Sequence, residues 1–86
     1  MNDGWQFVLN ETSLHFLLSL RARQRELVLA ALESLAAHPL QKGDFIGQDD
    51  TARTIQIKVA GSFLISFWPD ALVKELRIIN IEWVHF

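Results

Sequence analysis

The sequence contains no cysteine and no tyrosine, and only two prolines and four glycines. Without cysteine there is no disulfide scaffold, no zinc ribbon and no thiol nucleophile. Nothing ties the chain to an oxidising compartment, so a cytoplasmic setting is expected. A long apolar run is also missing. The longest uncharged stretch, Val59 to Pro69, falls short of the ~20 apolar residues that a membrane helix needs. The opening Met1-Asn2-Asp3-Gly4 lacks the basic residues that start a signal peptide. Neither sign of charge is in large excess: eight Lys and Arg stand against ten Asp and Glu, a formal net charge of −2. That argues against a nucleic-acid binder whose affinity comes from neutralising phosphates. What is present is apolar. Half of the 86 residues are hydrophobic, which suits one folded domain spanning 1–86.

The pattern along the chain gives the order of elements. Trp5-Gln6-Phe7-Val8-Leu9 is aromatic and β-branched, so it reads as an opening strand. Asn10 is placed to cap a helix, with Glu11 favourable in its first turn. Leu14, Leu17 and Leu18 recur at helical spacing, with Phe16 and Leu20 beside them. So wide an apolar face predicts burial against both a sheet and a second helix. Arg21-Ala22-Arg23-Gln24-Arg25 interrupts the pattern, and a second helix follows on the stripe Val28, Ala31, Leu32 and Leu35. Pro39 ends it by forcing His38 out of the helical region.

A polar connection rich in aspartate and glycine comes next, in which Phe45-Ile46 reads as a brief strand or an apolar anchor. From Arg53 the period becomes two: Ile55, Ile57 and Val59 share one face, and Thr54, Gln56 and Lys58 the other. A turn at Ala60-Gly61-Ser62 leads into Phe63, Ile65 and Phe67 alternating with Leu64, Ser66 and Trp68, ended by Pro69-Asp70. The expectation is that Ile55, Ile57, Val59, Phe63, Ile65 and Phe67 face the helices together with Leu17, Val28, Leu32 and Leu35. Lys74 to Val84 is a last strand whose Leu76, Ile78, Ile79 and Ile81 occupy both parities, as in a strand covered on two sides. The fold class is α+β: an N-terminal strand, an antiparallel helical hairpin, then a three- to four-stranded antiparallel meander.

This order resembles the RelE/ParE toxin superfamily of bacterial type II toxin–antitoxin systems. The resemblance is carried by Leu20 through Arg25, the Val28-to-Leu35 stripe, His38-Pro39 and Gly43-Asp44-Phe45. It continues through Ile57-Lys58-Val59 before Gly61, Phe63-Leu64-Ile65-Ser66-Phe67 and Lys74-Glu75-Leu76-Arg77-Ile78. It implies a small toxin-like protein that binds an antitoxin in a groove beside the sheet. Three departures concern the ribonuclease branch of that family. Its aromatic–arginine pair reads Phe63-Leu64 here, its C-terminal tyrosine is missing, and the chain is slightly acidic rather than basic. These argue for protein binding over messenger RNA cleavage.

The candidate residues divide accordingly. For an RNA-cleaving alternative, Lys58 and Arg77 would share an exposed sheet face near Gln56 and Ser66 and hold phosphate charge, with His85 as a terminal general base. For partner binding, Trp68 is the anchor, on the face opposite Phe67, with Lys58, Ser66, Trp83 and Phe86 around it. A third reading is a self-associating module using Trp68, Trp83 and Phe86, in symmetric contact through the last strand. Arg21, Arg23 and Arg25 are the only basic cluster, and further cations and aromatics do not extend it into a nucleic-acid site. His15, His38 and His85 have no metal-ligand spacing, so no metal or cofactor is expected.

Overall fold

The computed structural model describes residues 4–84. Within them the chain runs β1 (Gln6–Leu9), α1 (Glu11–Ser19), α2 (Ala22–Ala37), β2 (Phe45–Gln48), β3 (Thr54–Ala60), β4 (Phe63–Asp70) and β5 (Glu75–Trp83). The five strands form one sheet in the order β1-β5-β4-β3-β2. The pairs β2–β3, β3–β4 and β4–β5 are antiparallel, and β1 adds in parallel to β5. The class is α+β, with a mixed sheet built on an antiparallel meander. No helix among the described residues is long and apolar enough to cross a membrane.

Asn10 caps α1, its side-chain oxygen accepting from the Ser13 N–H at 2.8 Å, which satisfies one of the free donors of the first turn. The same side chain donates to the Ile79 carbonyl at 2.8 Å, tying the helix start to β5. Helix α2 begins earlier than the arginine-rich stretch suggested. Only Leu20 and Arg21 separate it from α1, so Arg23 and Arg25 lie inside the helix. Arg25 donates back to the Leu20 carbonyl at 2.9 Å and closes the joint. The helix stops at Ala37, one residue before His38-Pro39.

Both helices lie over β1 and β5, on one side of the sheet. The core between them contains Leu17, Leu20, Val28, Leu32 and Leu35 against Phe63, Ile65, Phe67, Leu76, Ile78 and Ile81. The wide apolar face of α1 is only partly used. Leu17 is buried, but Leu14 and Leu18 are exposed, because α2 makes little contact with α1 and leaves that flank open.

Two expectations about facing are corrected by the register. The turn between β3 and β4 contains two residues, Gly61 and Ser62, with Ala60 opposite Phe63. A three-residue turn including Ala60 would have set Val59 opposite Phe63. Shortening the turn by one residue moves the whole strand to the other face. Val59 therefore pairs with Leu64, Ile57 with Ser66, and Lys58 with Ile65. Ile55, Ile57 and Val59 belong to the face away from the helices, while Phe63, Ile65 and Phe67 face the helices as expected.

The second correction concerns β5. It lies between β1 and β4, yet Leu76, Ile78 and Ile81 all serve one face. Phe67 pairs with Ile78 but Ser66 pairs with Asn80, so Ile79 is an extra residue, a β-bulge. The bulge reverses the parity. It brings Leu76 and Ile78 before it and Ile81 after it into the same core.

Candidate binding site on the open sheet face

The sheet face opposite the helices carries no layer of secondary structure among the described residues. By strand alternation Val8 from β1, Arg77 and Asn80 from β5, Ser66 and Trp68 from β4, and Ile55, Ile57 and Val59 from β3 lie on it, with Ile55 itself buried. Trp68 lies at its centre, directly opposite Arg77 on the neighbouring strand. The Arg53 guanidinium carbon sits 4.0 Å from the centroid of the Trp68 ring, and that of Arg77 lies 5.9 Å away. Each cation–π contact of this exposed kind contributes ~0.5–1 kcal/mol.

Carboxylates hold both arginines. Arg77 Nε is 3.2 Å from Asp70 and its Nη2 is 2.9 Å from Glu75. Arg53 Nη1 is 3.5 Å from Asp49. Asp49 is itself organised by its loop. Its Oδ1 accepts from the Thr51 hydroxyl at 2.7 Å and from the N–H groups of Thr51 and Arg53, both at 2.9 Å. The Thr51 hydroxyl bond is the largest cause of its lowered pKa; partial burial opposes it, and the two N–H groups and the Arg53 charge add to it. Beside Trp68, a depression of about 500 Å³ is lined by Val8, Asn10, Arg53, Asp70, Arg77 and Ile79. The result is an aromatic plate set in paired charges beside a hollow with Val8 and Ile79 on its apolar side and Asn10, Arg53, Asp70 and Arg77 on its polar side. It offers contact surface for a side chain or an extended segment, with Arg53 and Arg77 already ion-paired.

The remaining candidates are distributed differently from their expected positions. Lys58 does not share a face with Arg77 or Ser66. It lies on the helix side of β3, where its amine is 3.9 Å from Asp44. Asp44 also accepts the Val59 N–H at 2.7 Å, and the neighbouring Gly43 N–H donates to Gln56 at 2.7 Å. Gly43 fits only because it has no side chain: a Cβ there would meet the Ile57 carbonyl oxygen at 2.5 Å. Ser66 is on the open face opposite Asn80. Trp83 is on the helix side, with its ring centroid 4.5 Å from that of Phe63 and 6.3 Å from that of Phe16. It borders a separate hollow of about 320 Å³ between α2 and the β3–β4 turn. His85 and Phe86 lie outside the described residues. Arg53, Asn10 and Val8 were not singled out for this site in the sequence. Arg53 shares parity with Ile55, but only the cross-strand register brings it onto Trp68.

Two solved structures share the fold. A chain of the toxin–antitoxin complex RelBE2 from Mycobacterium tuberculosis superposes with a TM-score of 0.76 at 16% identity, covering 93% of this chain and 98% of that one. A chain of the archaeal RelE–RelB complex from Pyrococcus horikoshii gives a TM-score of 0.71 at 11% identity, covering 92% and 93%. The fold is RelE-like. No protein-family model and no curated protein matches the sequence significantly, so the likeness to the RelE-like structures rests on topology. In this RelE-like chain the open sheet face carries Trp68 and Arg77, and Lys58 is turned to the other side.

Proposed function

We propose that the chain is the toxin-like member of a toxin–antitoxin pair and acts by binding protein through the open face around Trp68. The observation that carries this reading is the RelE-like fold over nearly the whole chain, shared with chains from two toxin–antitoxin complexes. The chemistry of the face refines it. Asp49, Asp70, Glu75 and Glu82 outnumber Arg53 and Arg77 there, and both arginines are already paired. A polyphosphate backbone would meet net negative charge. The fitting partner is an antitoxin segment with an apolar side chain for the hollow beside Trp68 and cations for the carboxylate rim.

Cleavage of RNA is the weaker reading because Lys58 and Arg77, its proposed cations, stand on opposite faces of the sheet. Self-association through the last strand is weaker too, since β1 and β4 occupy both edges of β5.

The test is expression of the chain alone and together with the small protein encoded beside it. Growth arrest by the chain alone, relieved by the neighbour and accompanied by co-purification, is the expected outcome. Trp68→Ala should weaken the co-purified complex while leaving the chain folded. Primer-extension mapping should show no new messenger RNA ends. Reproducible cleavage that disappears in Arg77→Ala would replace this reading with the ribonuclease one.

A further inference from the structure

The two arginines beside Trp68 are not held equally. Arg77 is fixed from two sides, by Asp70 at 3.2 Å and Glu75 at 2.9 Å, and its guanidinium stands 5.9 Å from the ring centroid. Arg53 is the closer cation, 4.0 Å from the centroid, yet a single carboxylate contact at 3.5 Å holds it and its side chain is 46% exposed. The carboxylate does not depend on that contact for its place. Asp49 Oδ1 is fixed by the Thr51 hydroxyl and by the N–H groups of Thr51 and Arg53, none of which belongs to the Arg53 side chain. Among the described residues, Asp49 Oδ2 meets only the Arg53 guanidinium. With that guanidinium away, an indole face and a preset carboxylate oxygen would stand open together, beside the hollow that Val8, Asn10 and Ile79 line.

We infer, on the reading of this face as a protein-binding surface, that Trp68 and Asp49 form the seat of a guanidinium from the antitoxin-like partner, and that Arg53 fills that seat in the free chain. The two halves of the seat select the chemistry. The indole face attracts a cation, and a planar guanidinium stacks on it better than an ammonium does. The carboxylate oxygen beside it accepts N–H groups from the same guanidinium. An anionic side chain of the partner would instead meet Asp49, Asp70 and Glu75. An uncharged one would part Asp49 from its counter-ion and return nothing. Exchange of one guanidinium for another keeps every charge paired. The partner then has to outweigh only one exposed cation–π contact and one exposed ion pair, both weak. Arg53 is thus an internal competitor. It covers the ring in the free chain and yields it to a segment that brings an arginine together with an apolar neighbour for the hollow.

N-acetylargininamide and its neutral isostere N-acetylcitrullinamide test the seat without the partner. Each is titrated into the full chain at constant ionic strength, up to ~100 mM because so small a contact binds weakly. The indole N–H resonances of the three tryptophans are followed, and Trp68→Phe identifies the one that belongs to Trp68. The arginine compound should shift that resonance saturably. In Arg53→Ala its binding should tighten ~3- to 30-fold, the factor by which the internal guanidinium competes. Adding Asp49→Asn to Arg53→Ala should remove most of that gain. Arg53→Gln keeps the stem without the charge, should behave as Arg53→Ala does, and replaces it if the shorter side chain disturbs the fold. The citrulline compound should give no saturable shift. Equal shifts from the two compounds overturn the inference, since charge then plays no part. An affinity unchanged by Arg53→Ala and Arg53→Gln overturns it equally, since Arg53 then fills no seat. Co-purification keeps the two readings apart. A complex weakened by Trp68→Ala in a chain that binds no probe sinks the seat alone. Probe binding with a complex indifferent to Trp68→Ala sinks the reading of the face on which the partner rests.

Discussion

Phe67 and Ile78 face each other across the β4–β5 ladder, both sealed from solvent, while their chain neighbours Ser66 and Ile79 do not pair. The offset lets one face of β5 take residues from both parities. It also places the Ile79 carbonyl where Asn10 can reach it. Core, bulge and helix cap thus meet within a few residues.

Phe67→Ala empties the largest fully buried side chain, and a loss of ~3–5 kcal/mol is expected from transfer and cavity together. Val59→Ala, on the open face, should cost about 0.5 kcal/mol or less. Urea unfolding of both variants checks the facing of β3 directly. Equal losses would mean that Val59 and Phe67 share the core.

Deleting Ile79 makes the ladder regular without moving the core: the pair Phe67–Ile78 is then followed directly by Ser66–Asn80, and Leu76, Ile78 and Ile81 keep their common face. A cooperative thermal transition should be retained, at a lower temperature because the Asn10 bond to the Ile79 carbonyl is lost. Inserting a second residue after Ile79 should instead send Leu76 and Ile78 to the open face if Ile81 kept its place, and abolish cooperative melting, since the total stability of a chain this size is roughly 4–13 kcal/mol.

Asn10→Ala removes both the cap on α1 and the bond to Ile79. A loss of about 2 kcal/mol is expected, at the upper end for a capping residue because a second hydrogen bond goes with it. Asn10→Asp retains the acceptor but not the donor and should fall between the two. Chemical denaturation of the three proteins side by side provides the comparison.

Asp49 gives a pH dependence with a defined sign. Its hydrogen bonds from Thr51 and Arg53 hold its pKa below the ordinary value of 3.8. A carboxylate with a lowered folded pKa stabilises fully above its unfolded value, and that stabilisation is lost as pH falls through the folded pKa. The melting temperatures of the parent chain and Asp49→Asn should therefore differ at neutral pH and converge in acid, below about pH 4. The carboxyl carbon resonance of Asp49 should titrate below the ordinary aspartate range.

Trp68→Ala separates binding from folding. Trp68 is half-buried, stacked under Arg53, and lies outside the helix-covered core. Association with the antitoxin-like partner should weaken by ~2 kcal/mol or more if Trp68 is the anchor, with a smaller change in stability. Calorimetric titration and urea unfolding of the same variant decide this. A large stability loss with unchanged affinity would make Trp68 structural.

The sequence alone determined the elements whose causes are local. Asn10 stops and starts the chain through its own side chain, Pro39 excludes helix from His38, and period-two alternation from Thr54 makes a strand wherever it is placed. It also determined that Phe67 and Trp68 point to opposite faces, because neighbouring residues in a strand must. What only the tertiary structure decided was which residues lie opposite one another. A two-residue rather than three-residue turn at Gly61 sent Ile55, Ile57 and Val59 to the open face and Lys58 to the other. The bulge at Ile79 gave the mixed parity of β5 a single buried side. Arg53 reached Trp68 through that same register, across strands separated in sequence. Alternation defines two faces but does not name them; their assignment comes from turn length and bulges, where one residue more or less reverses every side chain beyond it.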